Sequence, residues 1–222
     1  MAVDRDDAEL RELGYELVED HRAVEELADI FSTTGGDRTN YSKRVQSAVL
    51  DSLLVRSRSL LDFYWFDSLQ PNLFKRRSPK DAFAQDFFSM DDDARDRWES
   101  VRASAVQLVR PWLTGRQRIN QEFAHLSYRR GSSPALPRGG RWWVPEYVWG
   151  LVVVSGRIFE EALAPDIFGD LRGRLHDLWR PYFAEQSIVE IVSHIQTFVD
   201  AGLFTANFGG PIRSELGGHK DA

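Results

Sequence analysis

Apolar residues along this chain return at helical spacing far more often than they alternate. From residue 4 to about residue 31, Leu10, Leu13, Leu17, Val24, Leu27, Ala28 and Phe31 recur with charged residues between them, which predicts an amphipathic helix. The Thr33-Thr34-Gly35-Gly36-Asp37 cluster ends it. Thr39 or Asn40 then caps a second helix running to about Phe66. Its stripe is Val45, Val49, Leu53, Leu60 and Leu61, thickened by Phe63, Tyr64, Trp65 and Phe66. Gln70-Pro71-Asn72 breaks the pattern. Residues 72–90 read as irregular, with a Lys75-Arg76-Arg77 run and a short apolar segment at Phe83, Phe87 and Phe88.

A third helix is expected to start near Asp91, where the Asp91-Asp92-Asp93 run suits the positive end of a helix. Trp98, Val101, Ala105, Leu108 and Val109 mark its buried side, and Pro111 ends it. A fourth helix runs from about Thr114 to Arg130, followed by a loop rich in Gly, Ser, Pro and Arg from Gly131 to Gly140. Pro145 suits the first turn of a fifth helix that ends at Pro165. A shorter piece covers Leu171 to Trp179, and a last helix spans Ser187 to Val199. From Thr205 onward the Gly-rich polar sequence reads as a loose tail. With no internal repeat and no run of alternating strands, the expected fold is all-α, an up-and-down helical bundle. Residues 1–204 form one helical domain in this reading and residues 205–222 its tail.

Composition narrows the chemistry. The 222 residues are 42% hydrophobic and 28% charged, ordinary globular usage. The absence of cysteine excludes disulfides, thiolate zinc sites and cysteine nucleophiles, and it fits a reducing, cytoplasmic setting. The acidic start, MAVDRDDAELREL, reads as neither a signal nor a transit peptide. The most apolar stretch, Val148 to Ser155, is too short to span a bilayer, so no membrane partner is expected. A net charge of −6 argues against a general phosphate-binding surface, while a small basic site on an acidic body stays compatible with it.

The expected fourth helix carries the best candidate for chemistry. At about 100° per residue, Ile119, Phe123 and Leu126 share one face, while Arg118, Glu122, His125 and Arg129 share a stripe beside it. A histidine exchanges protons near neutral pH, an arginine offers a fork of donors to phosphate oxygens, and Glu122 is placed to orient the ring or raise its pKa. Together they suit acid–base work on a phosphodiester. The same pattern also serves as a solvated ion-pair face. Arg58 and Asp62, four apart in an otherwise apolar helix, are expected to pair with at least one of them buried, either for registry or as part of the same groove. Glu122-x-x-His125 matches half of a di-iron site, but no second Glu-x-x-His occurs, so neither metal nor cofactor is expected. Trp142, Trp143, Tyr147 and Trp149 read as filling for a bundle or dimer core, with base stacking beside Arg138 and Arg141 as the alternative. His21, His176, His194 and His219 read as structural or surface residues.

Arg118 and His125, six residues apart, resemble the permissive Arg-X(4–6)-His motif of the HEPN superfamily, small helical-bundle proteins. The run from Arg118 through Asn120 to His125-Leu126-Ser127-Tyr128 is also similar to an "IN-x-x-x-AHL-x-Y" segment of uncharacterised prokaryotic proteins. In those, an upstream "R-x-LLDF" segment corresponds to Arg58-Ser59-Leu60-Leu61-Asp62-Phe63, and Ala82-Phe83-Ala84-Gln85-Asp86-Phe87-Phe88 is similar to the segment between the two. The resemblance covers about residues 40–165, with additional helices at both ends. It implies a homodimer in which two motifs face one another across a cleft, acting as a metal-independent RNA endonuclease in a defence or toxin–antitoxin context. Arg118 would stabilise the scissile phosphate, His125 would be the acid–base residue, and Asn120 would be the accompanying polar group. The commoner motif has four intervening residues and a polar group directly after the arginine, where this chain has six and Ile119. The resemblance extends also to catalytically silent modules that bind a partner protein or sense a ligand.

Overall fold

The computed structural model describes residues 5–34, 40–69, 78, 80–88, 91–119, 142–143, 145–183, 187–200 and 205–206. Among them the fold is an all-α bundle. Helix α1 (Asp7–Thr34) and α2 (Asn40–Leu69) are followed by a short 3-10 helix, η1 (Ala84–Phe88). Then come α3 (Asp92–Ile119), α4 (Pro145–Ala162), α5 (Pro165–Phe183) and α6 (Ile188–Asp200). A two-residue antiparallel ladder joins β1 (Trp142–Trp143) to β2 (Thr205–Ala206). Among the described residues no helix is long and apolar enough to cross a membrane.

Polar side chains fix several helix starts. Asp6 Oδ1 accepts the Glu9 amide at 2.8 Å, and Asp91 Oδ1 accepts the Ala94 amide at 2.9 Å. Each satisfies one of the amides that a helix N-terminus leaves without a partner. At α6, the Glu190 amide donates to Ser187 Oγ while Glu190 Oε2 accepts the Ser187 amide, a reciprocal capping box. Pro145 and Pro165 open α4 and α5, where a missing N–H is harmless.

Helix α4 is the axis of the bundle. Every residue from Val148 to Gly156 is buried, as expected of a helix apolar on all sides. It packs on α1, α2, α3, α5 and α6. Phe159 near its end touches rings from three elements: Phe63 and Tyr64 on α2, Phe87 and Phe88 on η1, and Trp98 on α3, at centroid distances of 5.1 to 6.0 Å. Most of these meet edge to face, the favourable arrangement for aromatic pairs.

Gly156 lets α5 and α1 close on this axis. A Cβ there would lie 2.8 Å from Trp179 Cζ2 and 3.2 Å from His21 Cε1. Gly156→Ala is therefore expected to destabilise the fold by about 1–3 kcal/mol through overpacking, although alanine is the better helix former. The check is a lower urea midpoint at unchanged m-value.

Four expectations are corrected. Helix α3 does not end at Pro111 but continues to Ile119, so Thr114–Ile119 belongs to it and not to a separate fourth helix. An interior proline removes one donor and crowds the carbonyl four residues back, a cost that the burial of Ala105, Leu108 and Val109 just before it offsets. Pro165 starts α5 and does not close α4, which ends at Ala162. Helix α5 is longer than the expected 171–179 piece. It bends at Phe168, whose φ of −117° and ψ of 25° are non-helical. Thr205 and Ala206, placed in the tail, pair with Trp142 and Trp143.

Candidate functional site

Of the motif residues, Arg118 lies in the last turn of α3, and its side chain is outside the described set. Asn120, Glu122, His125 and Arg129 lie outside the described residues, as do His194's side chain and His219. The side chains of Trp142, Trp143 and Tyr147 are likewise undescribed, whereas Trp149 is buried in the core. Arg58 and Asp62 form the expected i,i+4 ion pair at 3.5 Å, each about a fifth exposed. Neither is buried, contrary to the expectation that at least one would be; both lie at the border of the core.

The two upstream segments of the resemblance come together in space. In Arg58-Ser59-Leu60-Leu61-Asp62-Phe63, Leu60 and Leu61 are buried, and Phe63 meets Phe87 of the second segment at 6.0 Å. One turn on, Phe66 stacks on Phe83 at 5.1 Å. Asp86, fully buried, caps η1 by accepting the Phe83 amide at 3.1 Å. It also faces the Arg5 guanidinium at 3.7 Å. Helix α3, which leads to Arg118, packs on both α2 and η1.

Arg102 fastens that junction. It is buried between α2 and α3, with Nη1 and Nη2 2.8 and 2.9 Å from the two Asp67 carboxylate oxygens. It also donates to Glu99 at 2.9 Å and to the Tyr64 carbonyl at 3.3 Å. Its Cζ lies 5.7 Å from the Trp65 ring centre and 5.1 Å from that of Trp98, a double cation–π contact. A guanidinium engaged on all sides clamps helices and is not available to a ligand. Arg102→Lys keeps the charge but loses the fork. It is expected to lower stability by about 1.5–3 kcal/mol, roughly the net worth of a charged hydrogen bond, read as a drop in melting temperature.

A second buried group sits where α1, α2, α4 and α5 meet. His21 is 1% exposed, with Nε2 2.6 Å from the Tyr64 hydroxyl and its ring edge-on to Trp179 at 4.8 Å. Its Nδ1 has no hydrogen-bond partner among the described residues. Burial pushes the His21 pKa down to about 3 and the Tyr64 hydroxyl well above its usual value, because both charged forms are disfavoured away from water. His21 is therefore a neutral structural group and not an acid.

A third cluster is partly open. Glu160, buried on α4, accepts from Arg157 at 2.7 Å and faces His176 Nδ1 on α5 at 3.1 Å. The His176 side chain is 47% exposed. Its Nδ1 lies between the Glu160 carboxylate and Arg157 Nη1, the latter at 3.3 Å, an arrangement that orients an imidazole. The sequence held weak signals of these residues: Glu99 and Arg102 at i,i+3, Arg157 and Glu160 at i,i+3. Their partners Asp67, Tyr64 and His176 are distant in sequence, and nothing in local periodicity links them. Among the described residues no group of three or more His, Cys, Asp or Glu is gathered as a metal site. Comparison of the chain with family models, with curated proteins and with solved structures finds no match.

Proposed function

We propose that the chain is a HEPN-like, metal-independent RNA endonuclease, a homodimer whose Arg118 and His125 act on the RNA backbone. The observation that carries this reading is the meeting of Phe63 with Phe87 and of Phe66 with Phe83. Two short segments that resemble one group of helical proteins are neighbours in the bundle, and α3 runs from their junction into the Arg118–His125 run. In this mechanism the substrate's 2′-hydroxyl is the nucleophile. His125 takes or gives the proton, and the Arg118 fork balances charge on the phosphate. Localisation in the cytoplasm, with access to RNA, belongs to the same proposal.

The test uses purified full-length protein and a set of labelled RNAs in EDTA. Cleavage leaving 2′,3′-cyclic phosphate ends is the expected result. A wild type that leaves every RNA intact overturns the enzymatic reading in favour of a catalytically silent module that binds a partner protein or a ligand. Cleavage that appears only on adding a divalent metal overturns it as well.

A further inference from the structure

Helix α5 presents a face that the described core does not use. At about 100° per residue, Gly169, Arg172, Gly173, His176 and Arg180 fall within one sector of roughly 100°. The buried residues Phe168, Leu171, Leu175, Leu178 and Trp179 occupy the side turned to α1 and α4. Arg172, His176 and Arg180 stand four residues apart, a row with about 6 Å between successive positions. Arg172 is half-buried and Arg180 exposed, and neither forms an ion pair among the described residues. A Cβ built at Gly169 or Gly173 meets nothing within 4 Å, so a ligand can approach the helix backbone closely there.

The acidic groups beside this row are already engaged or lie at its edge. Arg157 holds Glu160 at 2.7 Å and Glu161 at 3.7 Å, and Glu160 in turn fixes the imidazole through Nδ1. Arg157 Nη1 also lies 3.3 Å from Nδ1; where Nδ1 accepts from it, Nε2 carries the proton and is a donor. Asp177 borders the row on the side away from α4. A single anion cannot bridge Arg172 and Arg180, which are about 12 Å apart along the axis. A row of this length matches repeated anionic groups. A guanidinium fork pairs bidentately with phosphate as with carboxylate, and arginines spaced along a groove track the repeated phosphates of a strand.

We propose that this α5 face binds the phosphodiester backbone of a nucleic-acid strand, with Arg172, His176 and Arg180 as its contacts. The site goes beyond the proposed cleavage residues and is a binding surface without chemistry of its own. Its test is accordingly separable from that of the endonuclease reading. The probe is fluorescently labelled oligo-dT of 20 nucleotides, which has no 2′-hydroxyl and cannot be cleaved by that route. Binding to the full chain is followed by anisotropy in EDTA over a range of salt concentrations.

The wild type is expected to bind with affinity that falls as salt rises. The Arg172→Gln/Arg180→Gln double variant should bind about tenfold or more weakly, with the slope of log K against log salt reduced by about 0.7 per lost phosphate contact. Asp177→Asn should tighten binding. Arg174→Gln should leave binding unchanged, because Arg174 lies off this face and pairs with Asp170 at 3.0 Å. No binding by the wild type, or an unchanged affinity and slope in the folded double variant, overturns the proposal. Competition by polyglutamate at equal charge as effective as by unlabelled oligo-dT also overturns it, and assigns the face to an acidic protein segment instead.

Discussion

Acidification from pH 6.5 to pH 5 is expected to remove about 2 kcal/mol of folding stability through His21 alone. The ring is buried and neutral in the folded chain, with a pKa near 3 against 6.5 when unfolded. The unfolded state therefore binds a proton that the folded state refuses, and stability rises with pH across this interval. The contribution is fully present above pH 6.5 and is lost as pH falls towards 3, at about 1.4 kcal/mol per unit. The groups facing His21 offer a proton no counter-charge: the Tyr64 hydroxyl from α2, the Trp179 ring from α5 and Gly156 from α4. Carboxylates held below their usual range, Asp170 by Arg174 and Tyr15, and Glu190 by Ser187, titrate below this window. Urea unfolding between pH 5 and 6.5, compared between the wild type and His21→Gln, separates His21 from the other four histidines. The wild type should lose stability steadily as pH falls, while His21→Gln, which keeps a polar partner for Tyr64 without titrating, should have a slope shallower by up to about one proton. Equal slopes in the two proteins would remove His21 from this role.

The helical architecture was readable because its signal is local. Stripes such as Leu10, Leu17, Val24 and Phe31 repeat within one element, and the Ser187–Glu190 box sits beside the helix it starts. Helix α1 was expected over 4–31 and observed at Asp7–Thr34, and the last helix over 187–199 and observed at Ile188–Asp200. The misplaced boundaries fall at prolines. The local rule reads Pro111 and Pro165 as stops, whereas packing around Ala105, Leu108 and Val109 carries α3 through the first, and the second opens α5. The ladder between Trp142–Trp143 and Thr205–Ala206 has strands too short to show a period. It joins segments about sixty residues apart.

The candidate site was legible to a different extent. Arg58 and Asp62 were expected to pair from a four-residue spacing, and they do. Arg102 with Asp67, His21 with Tyr64 and Glu160 with His176 are tertiary pairs made by residues on different helices. Each helix alone shows only one charged or polar residue among many. Arg118 and His125 stand on the sequence run and its resemblance alone.

Under the proposed endonuclease function, loss of His125 is expected to have the largest functional effect. Positioned proton transfer contributes about 10²–10⁴-fold to a rate, so His125→Ala should slow RNA cleavage at least 100-fold. The bundle should stay folded, because the described core from α1 to α6 is built from other residues. Arg118→Ala should also slow cleavage, since an arginine fork stabilises charge at the phosphate. The most direct measurement is the single-turnover rate of RNA cleavage in EDTA for the wild type and His125→Ala at equal helical content. The prediction is a wild type that produces 2′,3′-cyclic phosphate ends and a variant at least 100-fold slower; equal rates in the two proteins would contradict the account.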